Sequence, residues 1–124
     1  MKKYILLVFI GALLNITEVF PQHSGPYNQL ACVGDTAVFT VDHSFDYVTF
    51  LWEESTDNSN FTTINASGAY GGIQTNELTV YTGVINPAVS GTWRYYRCRM
   101  YSNIYGEIFS ASAYLEINIP PTIN

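Results

Sequence analysis

Apolar and polar residues alternate along much of the chain after residue 30, and this period of two predicts β-strands rather than helices. Residues 36–42 place Ala37, Phe39 and Val41 on one face. Residues 110–119 alternate over the longest stretch and predict one continuous strand. The residues expected to point inward there are Ala111, Ala113, Leu115, Ile117 and Ile119, and those expected to point outward are Ser112, Tyr114, Glu116 and Asn118.

Four further strands are predicted, because turn residues separate short runs rich in Tyr, Phe, Thr and Val. They cover residues 48–53, 61–64, 77–82 and 93–101, with a loop at 65–72 and a corner at 86–91. Several short strands with turns at this spacing are typical of a sandwich or a barrel. We therefore expect an all-β domain.

The N-terminal segment has the pattern of a secretory signal. Lys2 and Lys3 precede an apolar run at residues 4–14, which is too short for a membrane-spanning helix. We predict a signal peptide at residues 1–22, cut at an uncertain point between Leu14 and His23, then a domain at 23–119 and a linker-like tail at 120–124. An uncleaved N-terminal anchor is the alternative. The expected location is secreted or on an extracellular cell surface, and the lysine-led signal favours a bacterial source.

Charge argues against a nucleic-acid partner. The chain has 5 Lys and Arg residues against 10 Asp and Glu residues, a formal net charge of -5 at pH 7. After removal of the signal, the cations that remain are Arg94, Arg97 and Arg99. Most of this surface would repel a phosphate backbone. We expect no nucleic acid and, in the processed chain, no membrane span.

Residues that could support catalysis are sparse. His23 and His43 lie outside the main predicted strands, and neither has a sequence relationship to a nucleophile. Glu53 and Glu54 are neighbours in a strand, so they point to opposite faces and cannot act as a carboxylate pair. We interpret them as a solvated strand end. We expect no enzyme activity, no cofactor and no metal centre.

Five short motifs follow one another along the chain: Cys32-x-Gly34-Asp35-Thr36, Trp52, Leu78-x-Val80, Tyr96-Arg97-Cys98 and Ala113-x-Leu115-x-Ile117. Together they resemble the immunoglobulin-like superfamily, and more narrowly the Ig-like modules of bacterial secreted and surface proteins. The resemblance implies an Ig-like antiparallel β-sandwich of about seven strands with Trp52 and Tyr96 in its core. Tyr96 would occupy the tyrosine corner, where its hydroxyl bonds to nearby backbone, or alternatively Trp93 would take that place.

The same resemblance implies a disulfide between Cys32 and Cys98. Cys32 stands upstream of the usual slot, which Val41 occupies, so the bridge is shifted or absent. Two free thiols, a metal-bound pair or a lipidated Cys32 are the alternatives. The compartment predicted from the N-terminus would permit oxidation.

The candidate binding face combines tyrosine and arginine. Tyr95, Arg97 and Arg99 should share the outward face of one strand, with Tyr114 beside them, and the loop around Tyr70 is a second candidate. Tyr and Arg are enriched at binding hot spots. A simpler interpretation pairs the arginines with nearby carboxylates. The expected function is that of a noncatalytic module for adhesion, protein binding or spacing. Its expected partners are an unknown protein or neighbouring Ig-like modules. The alternative is a carbohydrate-binding module with a glycan ligand.

Overall fold

The computed structural model describes residues 23–43, 47–85 and 90–120. The predicted signal segment and most of the predicted corner and tail therefore lie outside the described residues. The elements are β1 His23–Ser24, β2 Gln29–Cys32, β3 Thr36–Thr40, β4 Asp42–His43, β5 Tyr47–Ser55, β6 Thr62–Thr63, β7 Tyr70–Gly71, β8 Glu77–Tyr81, α1 Thr82–Ile85, β9 Gly91–Ser102, β10 Gly106–Phe109 and β11 Ala113–Asn118.

The strands form two main open sheets. A six-stranded sheet has the order β2-β11-β9-β5-β6, with β10 also paired to β9, and a three-stranded sheet has the order β3-β8-β7. The pairs are antiparallel except that β2 runs parallel to β11. β1 and β4 form a separate two-stranded pair. The described chain is therefore all-β and sandwich-like, as predicted, although its strands are more numerous than expected.

The two sheets enclose one apolar core built from the alternating positions. Phe39 of β3 contacts Tyr96 of β9 with ring centroids 5.0 Å apart, which joins one sheet to the other. The buried apolar residues are Ala31, Ala37, Phe39, Val41, Trp52, Ile64, Leu78, Val80, Tyr96, Cys98, Met100, Ala113, Leu115 and Ile117. The predicted inward faces of residues 36–42 and 113–117 are confirmed, and so is the core position of Trp52 and Tyr96.

The predicted strand at 110–119 is too long at its start. Ser110 interrupts the sheet, because its hydroxyl accepts a hydrogen bond from the Cys98 amide at 2.8 Å while its own amide donates to the Cys98 carbonyl at 2.9 Å. A side chain thus replaces one backbone partner at this position, and the edge beside β9 is split into β10 and β11. Ala111, expected inward, is exposed.

Trp52 also fixes the position of the chain between the sheets. Its indole Nε1 donates to the Thr75 carbonyl at 2.8 Å, and its backbone amide donates to the Ile73 carbonyl at 3.1 Å. Gly72 precedes this segment with a φ of 67°. A side chain there would collide with the Glu77 carbonyl, so this turn requires glycine. The turn brings β7, which lies inside the predicted loop at 65–72, against β8.

The predicted disulfide is wrong: Cys32 and Cys98 are both free. Cys32 pairs with Asn118, next to the position where β11 pairs with Gly91 of β9. Cys98 lies seven residues further along β9 than Gly91, which is about 23 Å at the rise of a strand. A disulfide needs Cα atoms within about 7 Å. The sheet register therefore keeps the two thiols far apart.

Helix is almost absent from the described residues, as the sequence predicts. α1 contains 4 residues. Within residues 23–43, 47–85 and 90–120, no helix has the length and apolar character needed to cross a bilayer.

Candidate binding surface

The outward face of the six-stranded sheet carries four of the five predicted binding residues. Tyr95, Arg97 and Arg99 alternate along β9 with the buried residues Tyr96, Cys98 and Met100. Tyr114 pairs directly with Tyr95 across β11 and β9. The structure therefore brings Tyr95, Arg97, Arg99 and Tyr114 onto one surface, as predicted.

Arg97 lies at the centre of this surface between two aromatic rings. Its guanidinium carbon is 4.2 Å from the ring centroid of Phe61 and 4.4 Å from that of Phe109. Its Nε donates to Glu53 Oε1 at 2.7 Å, and Glu53 is buried. We call Glu53, Phe61, Arg97 and Phe109 the arginine cluster. Stacking and ion pairing together hold the Arg97 side chain in one place.

Glu53 and Glu54 form ion pairs with arginines, which the sequence interpretation missed. Glu53 and Glu54 do point to opposite faces, as predicted, but they are not a solvated strand end. Glu53 contacts Arg97 and Arg99, and Glu54 contacts Arg94 on the other face. The simpler interpretation, in which the arginines pair with carboxylates, therefore describes Arg97 and Arg99 correctly as far as their contacts are concerned.

Tyr95 and Tyr114 lie beyond the arginine cluster on the same face. Their rings meet edge to face, with centroids 6.5 Å apart and planes at 84°. This geometry is favourable for two aromatic rings. The pair forms an aromatic patch near the start of β11.

A groove of about 630 Å³ crosses the opposite end of this face. We call it the outer groove. Its lining side chains come from β5, β9, β10 and the segment before β8, and they include Thr49, Leu51, Gln74, Arg99, Tyr101 and Glu107. Arg99 is placed between two carboxylates, with Nε 3.7 Å from Glu53 and Nη1 3.5 Å from Glu107. Phe50 and Met100 also line the groove, so it combines two aromatic residues, two other apolar residues and an arginine paired with carboxylates.

Tyr70, the fifth predicted binding residue, is not on this face. It lies on β7 of the other sheet, half-buried, and its hydroxyl donates to Glu54 Oε1 at 2.7 Å. Arg94 Nη1 donates to the same Glu54 oxygen at 2.6 Å. The Tyr70 and Tyr96 hydroxyls are 3.2 Å apart. These contacts link the two sheets at the end of the core. Tyr70 therefore stabilises the packing of the sheets and does not lie on the binding face.

The same network changes the predicted tyrosine corner. Within the described part of the chain, the Tyr96 hydroxyl meets the Tyr70 hydroxyl instead of nearby backbone. Burial is the main cause that raises the pKa of Tyr70 to about 12, and burial also raises the pKa of Tyr96. Both hydroxyls are therefore neutral hydrogen-bonding groups near neutral pH.

Two further groups outside this network, Cys98 and Asp57, have shifted pKa values. Burial raises the pKa of the Cys98 thiol to about 12, which disfavours the reactive thiolate. Asp57 accepts hydrogen bonds from the Ser59 and Asn60 amides, and these hold the pKa of its carboxyl well below the usual range. No group of three His, Cys, Asp or Glu side chains able to hold a metal occurs among residues 23–43, 47–85 and 90–120.

Sequence reasoning missed Phe61, Tyr101, Glu107 and Phe109. Glu107 and Phe109 lie on β10, a strand of only four residues that was not predicted. The available signal was the alternation of Glu107, Ile108 and Phe109, which is typical of a short hairpin strand. Phe61 reaches the face from the β5-β6 connection, which no local pattern indicates.

No family model matches the chain, and no curated protein matches it significantly.

Proposed function

We propose that this chain is a noncatalytic, exported immunoglobulin-like module that binds protein in an adhesive role at a cell surface. The sheet arrangement supports the fold part of this proposal. In variable-type Ig domains one sheet contains strands A, B, E and D and the other contains G, F, C and C′. The orders β3-β8-β7 and β11-β9-β5-β6 follow the same sequence of neighbours as B-E-D and G-F-C-C′. The missing disulfide is a departure from antibody domains.

The observation that carries the binding role is the arginine cluster. Protein interfaces are enriched in aromatic residues and Arg, and their energetic centres are rigid side chains ringed by other contacts. Arg97 is held between Phe61 and Phe109 and anchored to buried Glu53. Phe109 remains 42% exposed. A preorganised aromatic and cationic surface loses little side-chain entropy when a partner binds.

Export is supported by the N-terminal sequence, which lies outside the described residues. Two lysines followed by the apolar run at residues 4–14 favour secretion. The free cysteines remove the disulfide as an argument for an oxidising compartment. The intact mass of the product recovered from the medium or the cell surface would test export, because a signal peptide would be absent from it.

The binding role is tested with a second copy of the chain as the probe. Beads coated with the purified chain should aggregate, and sedimentation velocity should show association that rises with concentration. Phe109→Ala and Tyr95→Ala should each weaken association about tenfold or more, because both remove aromatic contact area from the outward face. Each side chain lies at the surface of β10 or β9, so the fold should survive.

Val38→Ala is the matched control. Val38 is 37% exposed, but it lies on β3 of the other sheet. Its truncation should leave association unchanged. A chain that stays monomeric at all concentrations and does not aggregate beads would contradict the adhesive proposal and favour a spacer.

A further inference from the structure

We infer that the outer groove is a second ligand site on this face, and that its ligand is a neutral carbohydrate. The inference rests on the noncatalytic binding role proposed above and adds a ligand class to it. The groove lies at the hairpin end of the sheet, where Tyr101 follows Arg99 along β9. Tyr95 is six residues earlier on the same strand, about 20 Å away. The two regions can therefore be separated by mutation.

Hydrogen-bonding capacity in the groove is available to a ligand. Five polar side chains of the lining form no hydrogen bonds with other described residues: those of Thr49, Gln74, Arg99, Tyr101 and Glu107. Arg99 makes two longer ion-pair contacts, with Glu53 and Glu107. Arg97, by contrast, donates to Glu53 at 2.7 Å. Two hydroxyls, an amide, a guanidinium and a carboxylate provide both donors and acceptors. A ligand with many hydroxyl groups would use both kinds.

The charges in the groove favour a ligand without net charge. Arg99 is offset by Glu107 at 3.5 Å and by Glu53 at 3.7 Å. An anionic ligand would meet two carboxylates beside the arginine, and a cationic ligand would meet the arginine itself. A neutral ligand can accept from the guanidinium and donate to Glu107 without disturbing the pair. Hydrogen bonds to charged groups are about twice as strong as those between neutral groups.

The apolar part of the lining suits the less polar face of a sugar ring. Leu51 lies on β5 opposite Arg99, and Tyr101 is 46% exposed beside it. Ligand sites combine such apolar surface with a few placed polar groups, in clefts of about 300–1,000 Å³. A groove of about 630 Å³ lies inside that range. It is large enough for a short oligosaccharide segment.

The experiment probes the purified full chain with an array of neutral oligosaccharides of glucose, mannose, galactose and N-acetylglucosamine, alongside sialylated and uronic-acid glycans. Calorimetric titration then measures the affinity for the neutral glycans retained. Tyr101→Ala should weaken binding at least tenfold, and Glu107→Gln should weaken it severalfold because an amide replaces the charged acceptor. Tyr101 and Glu107 are both exposed, so circular dichroism should show unchanged folding.

Tyr95→Ala is the matched control, a tyrosine on the same strand and the same face outside the groove. It should retain glycan binding while it loses self-association, and Tyr101→Ala should show the reverse. If Tyr95→Ala abolished glycan binding and Tyr101→Ala did not, the glycan site would not be the outer groove. Binding of acidic glycans alone would overturn the ligand class. Binding of no glycan would overturn the inference outright, while bead aggregation would still decide the adhesive role.

Discussion

Glu53 and Arg97 face each other across β5 and β9, and Arg97 Nε donates to Glu53 Oε1 at 2.7 Å. The Glu53 side chain is 7% exposed, whereas that of Arg97 is 30% exposed. The carboxylate is therefore the more strongly desolvated partner. Removing the arginine would leave a largely buried charge with only the more distant Arg99, and this asymmetry has a consequence for stability.

Arg97→Ala should lower the free energy of unfolding by about 1–3 kcal/mol. Breaking a fully buried pair costs about 3–5 kcal/mol, and the smaller value allows for the exposure of Arg97 and for Arg99 nearby. Urea denaturation measures the change. Glu107→Ala, which removes an exposed carboxylate, should cost less than about 1 kcal/mol. Equal losses in the two variants would show that the burial of Glu53 has no energetic effect.

The two cysteines should react very differently with a thiol reagent. Cys32 is exposed, and the Cys98 thiol is buried with its pKa raised to about 12. In the native chain, without reductant, one label should be added at Cys32, and Cys98 should be labelled only after denaturation. Mass spectrometry with peptide mapping locates each label. If both cysteines became reactive only after reduction, they would be joined in a disulfide, and the strand register that keeps them apart would be wrong.

Strand periodicity was enough to predict the core, but not the contacts made across strands. Alternation placed Ala37, Phe39 and Val41 inward correctly, because burial acts on each position of a strand separately. The disulfide and the place of Tyr70 depended on which strands are neighbours and in which register. Local sequence does not encode that information for strands of two to four residues, such as β2 and β7.

The outward face was predictable for a similar reason. Tyr95, Arg97 and Arg99 belong to a single long strand, so their common direction follows from the period of two. Phe61 and Glu107 reach the same surface from other elements, and their approach depends on tertiary pairing. A sequence pattern could therefore identify the centre of the site but not its surroundings.

Alkaline pH should destabilise the fold through Tyr70 and Cys98. Burial is the main cause that raises the pKa of each group to about 12, from ordinary values of 10.0 and 9.0. The folded state therefore holds these protons more tightly than the unfolded state. Their contribution is fully present below pH 9 and declines between pH 9 and 12 as the unfolded chain loses the protons first. Urea midpoints measured at intervals from pH 8 to pH 11 should fall.

Tyr70→Phe separates the tyrosine from the other groups. A phenylalanine cannot ionise, so the decline in the urea midpoint above pH 10 should become shallower than in the original chain. Tyr27→Phe is the control, since Tyr27 is 64% exposed. The slope should not change in that variant. An alkaline decline that is identical in all three chains would contradict a role for Tyr70.

Trp52 should contribute more to stability than Trp93. Trp52 is fully buried, and its indole Nε1 donates to the Thr75 carbonyl at 2.8 Å, whereas Trp93 is half-buried beneath the Arg94 guanidinium at 3.7 Å. Trp52→Phe would leave a cavity and an unpaired carbonyl, so the free energy of unfolding should fall by about 2–4 kcal/mol. Trp93→Phe keeps an aromatic ring under Arg94 and should cost about 1 kcal/mol or less. Urea denaturation followed by circular dichroism compares the two variants without relying on tryptophan fluorescence. Similar losses in both would show that the Trp52 to Thr75 contact does not hold the segment before β8 against the core.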